Sequence, residues 1–237
     1  MKIISSFLKE FYPDNPNQII LKNKYYPSGL REIDIYNHYL KYKDKILKWI
    51  DNRNVGFFIN VDNQRIMKRK IENRPIVLTK KNFKDLITGR TNLIFVEHPS
   101  PTDYYIIDVD PGKNISRNDV IKIIEDINKH AFLKMITRKK EVLITSSVGF
   151  HIIGITNHKR NINIQRQTIE RILNFIVNDK KYHFRVLVNK KGRDPNTINL
   201  DLSPMYKRSL HLAKFSLTKE GLICDDISKG LQITRTK

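Results

Sequence analysis

The sequence predicts an α+β fold built on a mixed or antiparallel sheet. Three observations lead there. From residue 91 onward the hydropathy pattern runs strand, strand, helix, strand, strand, helix, strand, an order of grouped strands with helices on one face rather than alternating parallel units. The helical segments carry one-sided apolar stripes. And 40% of the 237 residues are hydrophobic, enough for a sizeable core in one large domain or two closely packed lobes. The chain reads as one domain, 1–237, in which residues 1–80 form a smaller N-terminal α/β lobe on a larger lobe, 81–237. No composition break marks the first as a separate folding unit.

The elements follow in order. "REIDIYNHYLKYKDKILKWI", from Arg31, is an amphipathic helix with Tyr36, Tyr39, Leu40, Ile46, Leu47 and Ile50 at helical spacing. "NVGFFINV" and "RIMKRKI" are two strands around a turn at Asp62-Asn63, and "KKNFKDLITG" is a short helix closed by Gly89. "NLIFVEH" and "YYIIDVD" are consecutive strands joined by a turn at Pro99-Ser100-Pro101. "SRNDVIKIIEDINKHAF" is a helix with Ser116 as its N-cap. "EVLITSS" and "GFHIIGIT" are strands, and "INIQRQTIERILNFIV" is a helix with Ile169, Ile172, Leu173 and Ile176 inward. "TINLDLS" and "GLICDDI" close the chain as short strands.

Lys and Arg number 44 against 24 Asp and Glu, a formal net charge of +20. Such an excess repels itself unless an anionic partner compensates it, and nucleic acid is the leading candidate; a Lys-, Asn- and Ile-rich proteome is the plainer source. One cysteine, Cys224, allows neither an intrachain disulfide framework nor a Cys-rich zinc site. The N-terminal apolar run is interrupted by Lys9 and Glu10, too early for a signal peptide. No stretch approaches the roughly 20 apolar residues of a membrane-spanning helix, so a soluble, intracellular protein with no membrane partner is expected.

"YYIIDVDPG" sets two carboxylates one residue apart at the end of an apolar run. Residues two apart in a strand share a face, so Asp108 and Asp110 project together, away from Tyr105, Ile107 and Val109. Side by side in a partly dry site they repel. A divalent cation removes that repulsion, and oxygen ligands select Mg²⁺ or Mn²⁺. Two solvated acids beside the turn-forming Pro111-Gly112 give the same tripeptide. "NTINLDLSP" adds Asp201, late in another apolar strand. Three acids converging at strand ends suit a two-metal phosphoryl-transfer centre. "LITSSVGFHIIGI" offers a Ser-rich turn whose hydroxyls and N–H groups can meet an anion. Ser146, Ser147 and His151 then form a triphosphate cradle, or else an ordinary β-turn followed by a core histidine.

Together these segments resemble the archaeo-eukaryotic primase superfamily, most closely the primase-polymerase domain of bacterial end-joining ligase D and its stand-alone relatives. That family pairs an Asp-x-Asp strand, a Ser…Gly-x-His turn and a lone Asp on a later strand; here these are "DVDPG", "TSSVGFH" and "NLDLS", in order. "FVEHPSP" is similar to the family's Glu-x-His-Pro segment, "YYPSGLREIDIYNHY" to its entry into the first helix, and "LAKFSLTKEGLICDDI" to the segment after the third aspartate. The resemblance implies an RRM-like central sheet with flanking helices and a catalytic role for the larger lobe. It implies Mg²⁺ or Mn²⁺ on Asp108, Asp110 and Asp201. It implies a nucleoside triphosphate on Ser146, Ser147 and His151, with His98 beside the site and Arg208, His211 and Lys214 as further phosphate ligands. Where the family carries a Lys in its second motif this chain has Val148, so Lys214, Arg208 or Lys219 would substitute; Thr218 stands where Arg or His is common.

The reaction implied is attack of a 3′-hydroxyl on an α-phosphate with loss of pyrophosphate, on a single-stranded or gapped DNA template and primer, in replication or repair. A helicase, ligase or end-binding protein would act from another chain. Basic clusters at 65–70, 137–140, 157–161 and 189–193 would hold the backbone. Phe57 and Phe58, beside Lys68, Arg69 and Lys70, would stack an unpaired base, although one of two adjacent strand phenylalanines is normally core. A non-catalytic nucleic-acid-binding relative and a two-metal nuclease are the other readings of the same residues.

Overall fold

The computed structural model describes residues 17–23, 26–61, 64–146, 148–189, 194–218, 221 and 223–226. In chain order the elements are β1 (Ile19–Asn23), β2 (Tyr26–Arg31), α1 (Glu32–Ile50), β3 (Asn54–Val61), β4 (Gln64–Lys68), β5 (Lys70–Ile71), β6 (Arg74–Val77), α2 (Phe83–Leu86) and β7 (Thr91–Glu97). Then come β8 (Thr102–Pro111), α3 (Arg117–Lys129), α4 (Ala131–Ile136), β9 (Thr137–Ile144), β10 (Phe150–Arg160), α5 (Ile162–Asp179), β11 (Arg185–Val188) and β12 (Thr197–Asp201). A 3₁₀ turn, Ser203–Met205, precedes β13 (Leu210–Leu212). They divide into two compact units. One takes the chain up to Glu97 together with Leu210–Asp225; the other takes His98–Ser209 and Asp226.

In the first unit a sheet of order β13-β7-β3-β6-β5, with β4 also on β3, packs a core with α1. The inward residues of α1 are Ile35, Tyr39, Ile46 and Ile50, all 1% exposed or less. The predicted stripe named three residues too many for that core face, since Tyr36, Leu40 and Leu47 are only half-buried, while Ile35 and His38 are buried between them. A capping box starts the helix: Arg31 N–H donates to Asp34 Oδ2 at 3.1 Å, and the two side chains pair at 2.8 Å. Glu32 is fully buried and accepts from Arg90 Nε at 2.8 Å. Gly89 lets the chain pass close to Glu32, since a Cβ there would lie 2.5 Å from the Glu32 carbonyl oxygen. The short helix expected to end at Gly89 is one turn, closed at Ile87. "RIMKRKI" divides into β4 and β5, and the turn at Asp62-Asn63 lies outside the described residues.

The second unit carries the sheet β11-β12-β8-β10-β9. β8, β10 and β9 pair antiparallel in turn, β12 is antiparallel to β8, and only β11 runs parallel to its neighbour. From β8 to β12 the order is β-α-α-β-β-α-β, plus the edge strand β11, with the strand order of a split βαβ sheet. The α+β reading holds. The strands β7 and β8, consecutive in sequence, lie in different sheets. Ser116 caps α3 as expected, accepting from Asp119 N–H at 3.1 Å, but the helix stops at His130 and restarts as α4. Among the described residues "GLICDDI" contributes single bridges, Leu217 with Ile223 and Leu143 with Asp226.

Tyr105, Ile107 and Val109 share a face with Phe150, Ile152 and Gly154 through the β8–β10 register. Arg117, at the start of α3, lies 5.9 Å from the Phe150 ring centre, so the helices cover that face. α5 buries Ile162, Gln165, Ile169, Leu173 and Ile176, with Ile172 half-buried at the margin. No helix among the described residues is long and apolar enough to cross a membrane.

Candidate active site

The site follows from strand parity and register. β8 alternates, so Asp108 and Asp110 stand on the face opposite the helix layer. On one side of β8, Asp201 of β12 is the direct partner of Asp108. On the other side, His151 of β10 is its direct partner. Three adjacent antiparallel strands therefore place Asp201, Asp108 and His151 in one row, and directly opposed residues share a face. One step along, Asp110 pairs with Asn199. His151 Nε2 lies 3.3 Å from Asp108 Oδ1. The imidazole is 6% exposed, and its Nδ1 is buried without a hydrogen-bond partner among the described residues. Asp108 is less covered, its side chain 24% exposed, and Asp110 is exposed.

Asp201 is turned toward the chain that follows it. Its Oδ1 accepts from Ser203 N–H at 2.8 Å and its Oδ2 from the Ser203 hydroxyl at 2.7 Å. This carboxylate both belongs to the acidic row and starts the 3₁₀ turn. Among the described residues no group of three His, Cys, Asp or Glu side chains stands close enough to hold a metal ion as placed. The backbone brings the carboxylates to one face, and the Asp201 side chain is engaged with Ser203. The donor chemistry fits a hard divalent cation, since all three are carboxylates on neighbouring strands.

The β9–β10 turn closes on itself. Ser146 Oγ accepts from Gly149 N–H at 2.7 Å and from Val148 N–H at 3.4 Å, and Thr145 N–H donates to Gly149 O at 3.0 Å. The hydroxyl expected to meet a phosphate thus holds the turn. Continuing the register one step past Phe150 opposite Val109 sets Gly149 level with Asp110, so the turn sits at the acid end of the sheet. Ser147 lies outside the described residues, as does Lys219.

His98 is elsewhere. Its ring packs on Tyr104 with centroids 4.5 Å apart, and its Nδ1 lies 3.0 Å from Pro99 O. Tyr104 is four residues before Asp108 on the same strand face, roughly 13 Å away at strand rise. Arg208 is exposed, in a left-handed conformation with φ of 63°.

The remaining sequence candidates belong to the first unit. His211 is buried on β13. Lys214 is 7% exposed, with Nζ 3.8 Å from Asp225 Oδ1 and over the rings of Trp49 and Phe215 at 5.9 and 5.4 Å. Phe57 is fully buried in the core, which removes it as a stacking platform: its side of β3 faces α1. Phe58, half-buried on the other side, meets Phe95 edge-on at 5.3 Å. Lys68 is half-buried and Arg69 and Lys70 are exposed. Of the basic clusters, 190–193 lies outside the described residues.

Sequence reasoning passed over Asn199. It stands level with Asp110 and on the face of Asp201, and "NLD" carried the same two-residue spacing as "DVD".

No protein-family model matches the sequence, and no curated protein matches it. Among solved structures the fold is similar to that of the polymerase domain of Mycobacterium tuberculosis ligase D, determined in complex with DNA. The TM-score is 0.68 at 13% identity, over 88% of this chain and 86% of that one. At that identity the likeness is one of fold alone, a distant primase-polymerase-like fold.

Proposed function

We propose that the chain is a metal-dependent nucleotidyltransferase, a DNA primase or primer-extending polymerase. In the reaction a primer 3′-oxygen forms a bond to the α-phosphorus of a nucleoside triphosphate, the bond from that phosphorus to the β-phosphate bridging oxygen breaks, and pyrophosphate leaves. The observation that carries this reading is the single row Asp201–Asp108–His151 with Asp110 one step along. The ligase D polymerase domain is a DNA complex, and a net charge of +20 suits a DNA template and primer.

Asp108, Asp110 and Asp201 would hold Mg²⁺ or Mn²⁺, which when bound lowers the pKa of the attacking hydroxyl and neutralises charge on the leaving group. Each carboxylate oxygen has two lone pairs, so the Ser203 bonds leave Asp201 acceptor capacity. His151, whose Nε2 lies 3.3 Å from Asp108 Oδ1, stands beside that carboxylate and would present its Nδ1, which has no hydrogen-bond partner among the described residues. A deoxynucleotide or ribonucleotide triphosphate is the substrate, and a helicase, ligase or end-binding protein would act alongside, at the site of DNA.

A non-catalytic nucleic-acid-binding role is the second reading. It is favoured by the engagement of both Asp201 oxygens with Ser203 and of Ser146 with its own turn. The experiment is primer extension on a labelled primer–template with Mn²⁺ and each nucleotide in turn. Extension abolished by Asp108→Ala supports catalysis. DNA binding with no turnover in the unaltered protein overturns it in favour of the second reading.

A further inference from the structure

We propose that the outer face of α4 and α5 is a docking surface for an acidic amphipathic segment of another protein. Four large apolar side chains are exposed there: Phe132 (49%), Met135 (71%), Ile164 (55%) and Phe175 (53%). Isolated exposed hydrophobics are ordinary, but contiguous ones mark interaction sites. Phe132 and Phe175 are contiguous. The Phe132 and Phe175 rings meet edge to face at 5.7 Å, and His130 packs on both at 5.6 and 5.8 Å. Ile164 and Phe175 share one stripe of α5 through Thr168 and Arg171, spaced four, three and four residues apart. The helix buries a different stripe in the core, so this one is surplus to folding.

Beside Met135 lies a cavity of about 200 Å³ lined by Met135, Ile136, Thr156, His158, Arg160 and Gln165. It has room for one anchoring side chain, the arrangement of an energetic centre in a protein interface. Asn157 Nδ2 donates to Met135 O at 3.2 Å and ties α4 to the end of β10.

Charge selects the occupant. Lys134 and Arg171 flank the aromatic cluster, and His158, Lys159 and Arg160 follow the cavity, all exposed. A cationic rim around an apolar centre complements a helix with apolar anchors and acidic flanks. A second copy of this chain would bring another +20 to the same place. Nucleic acid needs flat, accessible ring faces, whereas these two rings engage each other edge to face and Met135 and Ile164 offer no stacking surface. The acidic row lies on the sheet face opposite the helix layer, so an occupant here leaves it open. The proposal is independent of the catalytic reading.

The probe is a fluorescein-labelled helical peptide with Leu and Phe at i, i+3, i+4 and i+7 and Glu elsewhere. Its partner peptide has Lys for each Glu. Fluorescence anisotropy with the full chain should show saturable one-to-one binding of the acidic peptide and none of the basic one. Phe132→Ser with Phe175→Ser should weaken it roughly tenfold or more, with an unchanged circular dichroism melt. Lys134→Glu with Arg171→Glu, which removes no apolar surface, should weaken the acidic peptide while retaining the fold. Binding that ignores both pairs of substitutions overturns the proposal. So does displacement of the peptide by a single-stranded oligonucleotide whose own binding needs Phe132 and Phe175, or concentration-dependent dimerisation lost in the Phe pair.

Discussion

Replacing Asp201 by Asn separates charge repulsion within the acidic row from the metal binding proposed for it, because the two effects on stability have opposite signs. Asp201 and Asp108 are direct cross-strand partners. Like charges directly opposite each other on an antiparallel pair destabilise it by roughly 0.2–1 kcal/mol. Asparagine keeps a carbonyl oxygen for Ser203 N–H, and the Ser203 hydroxyl can rotate to suit the amide, so the 3₁₀ turn is preserved. Without metal, Asp201→Asn should therefore melt above the unaltered protein, by no more than about 4 °C at roughly 2–4 °C per kcal/mol for a chain of this size. With Mn²⁺ at a hundred times its dissociation constant, the unaltered protein should gain about 2.7 kcal/mol, or roughly 5–11 °C. Asp201→Asn should lose most of that gain. The assay is thermal unfolding by near-UV circular dichroism in chelator, in Mn²⁺ and in matched Ca²⁺-free salt. A variant that melts at or below the parent in chelator, yet keeps the full Mn²⁺ shift, refutes the convergence of these carboxylates on one ion site.

Three further outcomes follow from the packing. His38 is buried and pushed down to about 4, chiefly by loss of water around it, against a hydrogen bond to Phe215 O at 2.9 Å. The unfolded chain binds this proton more readily, so its contribution is intact above about pH 6.5 and is lost as pH falls toward 4; that is about 3 kcal/mol, and His38→Gln should flatten the stability–pH curve in that window, measured by urea unfolding. Gly154→Ala would drive its Cβ into the fully buried Tyr105 ring; a loss of about 1–3 kcal/mol is expected, with a tolerated, near-neutral alanine counting against the packing described. Ser116→Ala removes the α3 cap, accepting from Asp119 N–H, and should cost about 1 kcal/mol in denaturant midpoint, whereas Ser116→Asp should retain most of it.

What the sequence disclosed depended on how much of each element's pattern was local. β3, β8 and β10 were found because a buried strand needs a run of apolar residues, but only β3 was read at its bounds; β8 and β10 were read short where Thr102, Asp103 and residues 157–160 extend them in polar sequence. β2, "YPSGLR", and β6, "RPIV", were missed since Pro and Gly there read as turn. Both are short, and β2 belongs to a two-stranded sheet in which a missing N–H can face outward. The pairing of β7 with β3 rather than β8 is a tertiary fact. A strand's hydropathy says which face is buried, not which neighbour completes the ladder.

The acidic residues divide along the same line. Parity within β8 gave Asp108 and Asp110 a common face from spacing alone. That Asp201 and His151 fall on either side of Asp108 depends on two registers between strands about 40 and 90 residues apart, which no local pattern encodes. His98 shows the opposite failure. The resemblance of "FVEHPSP" to the family's Glu-x-His-Pro segment set it beside the acids, but β8 enters from the far end, so a neighbour in sequence is held at Tyr104 while His151, more distant along the chain, is brought alongside. Lys214 was expected as a phosphate ligand because its segment resembles the one that follows the third aspartate in the primase-polymerase family, yet its ammonium is held by Asp225 and two aromatic rings. Rotamers follow the same logic one level down. The backbone delivers three carboxylates to one face, while the Ser203 bonds decide which way Asp201 points; a divalent ion bound in the row would share that side chain with Ser203. Removing the Ser203 hydroxyl, as in Ser203→Ala, should free an Asp201 oxygen and tighten Mn²⁺ binding rather than weaken it, a direction that a purely structural Asp201 would not produce.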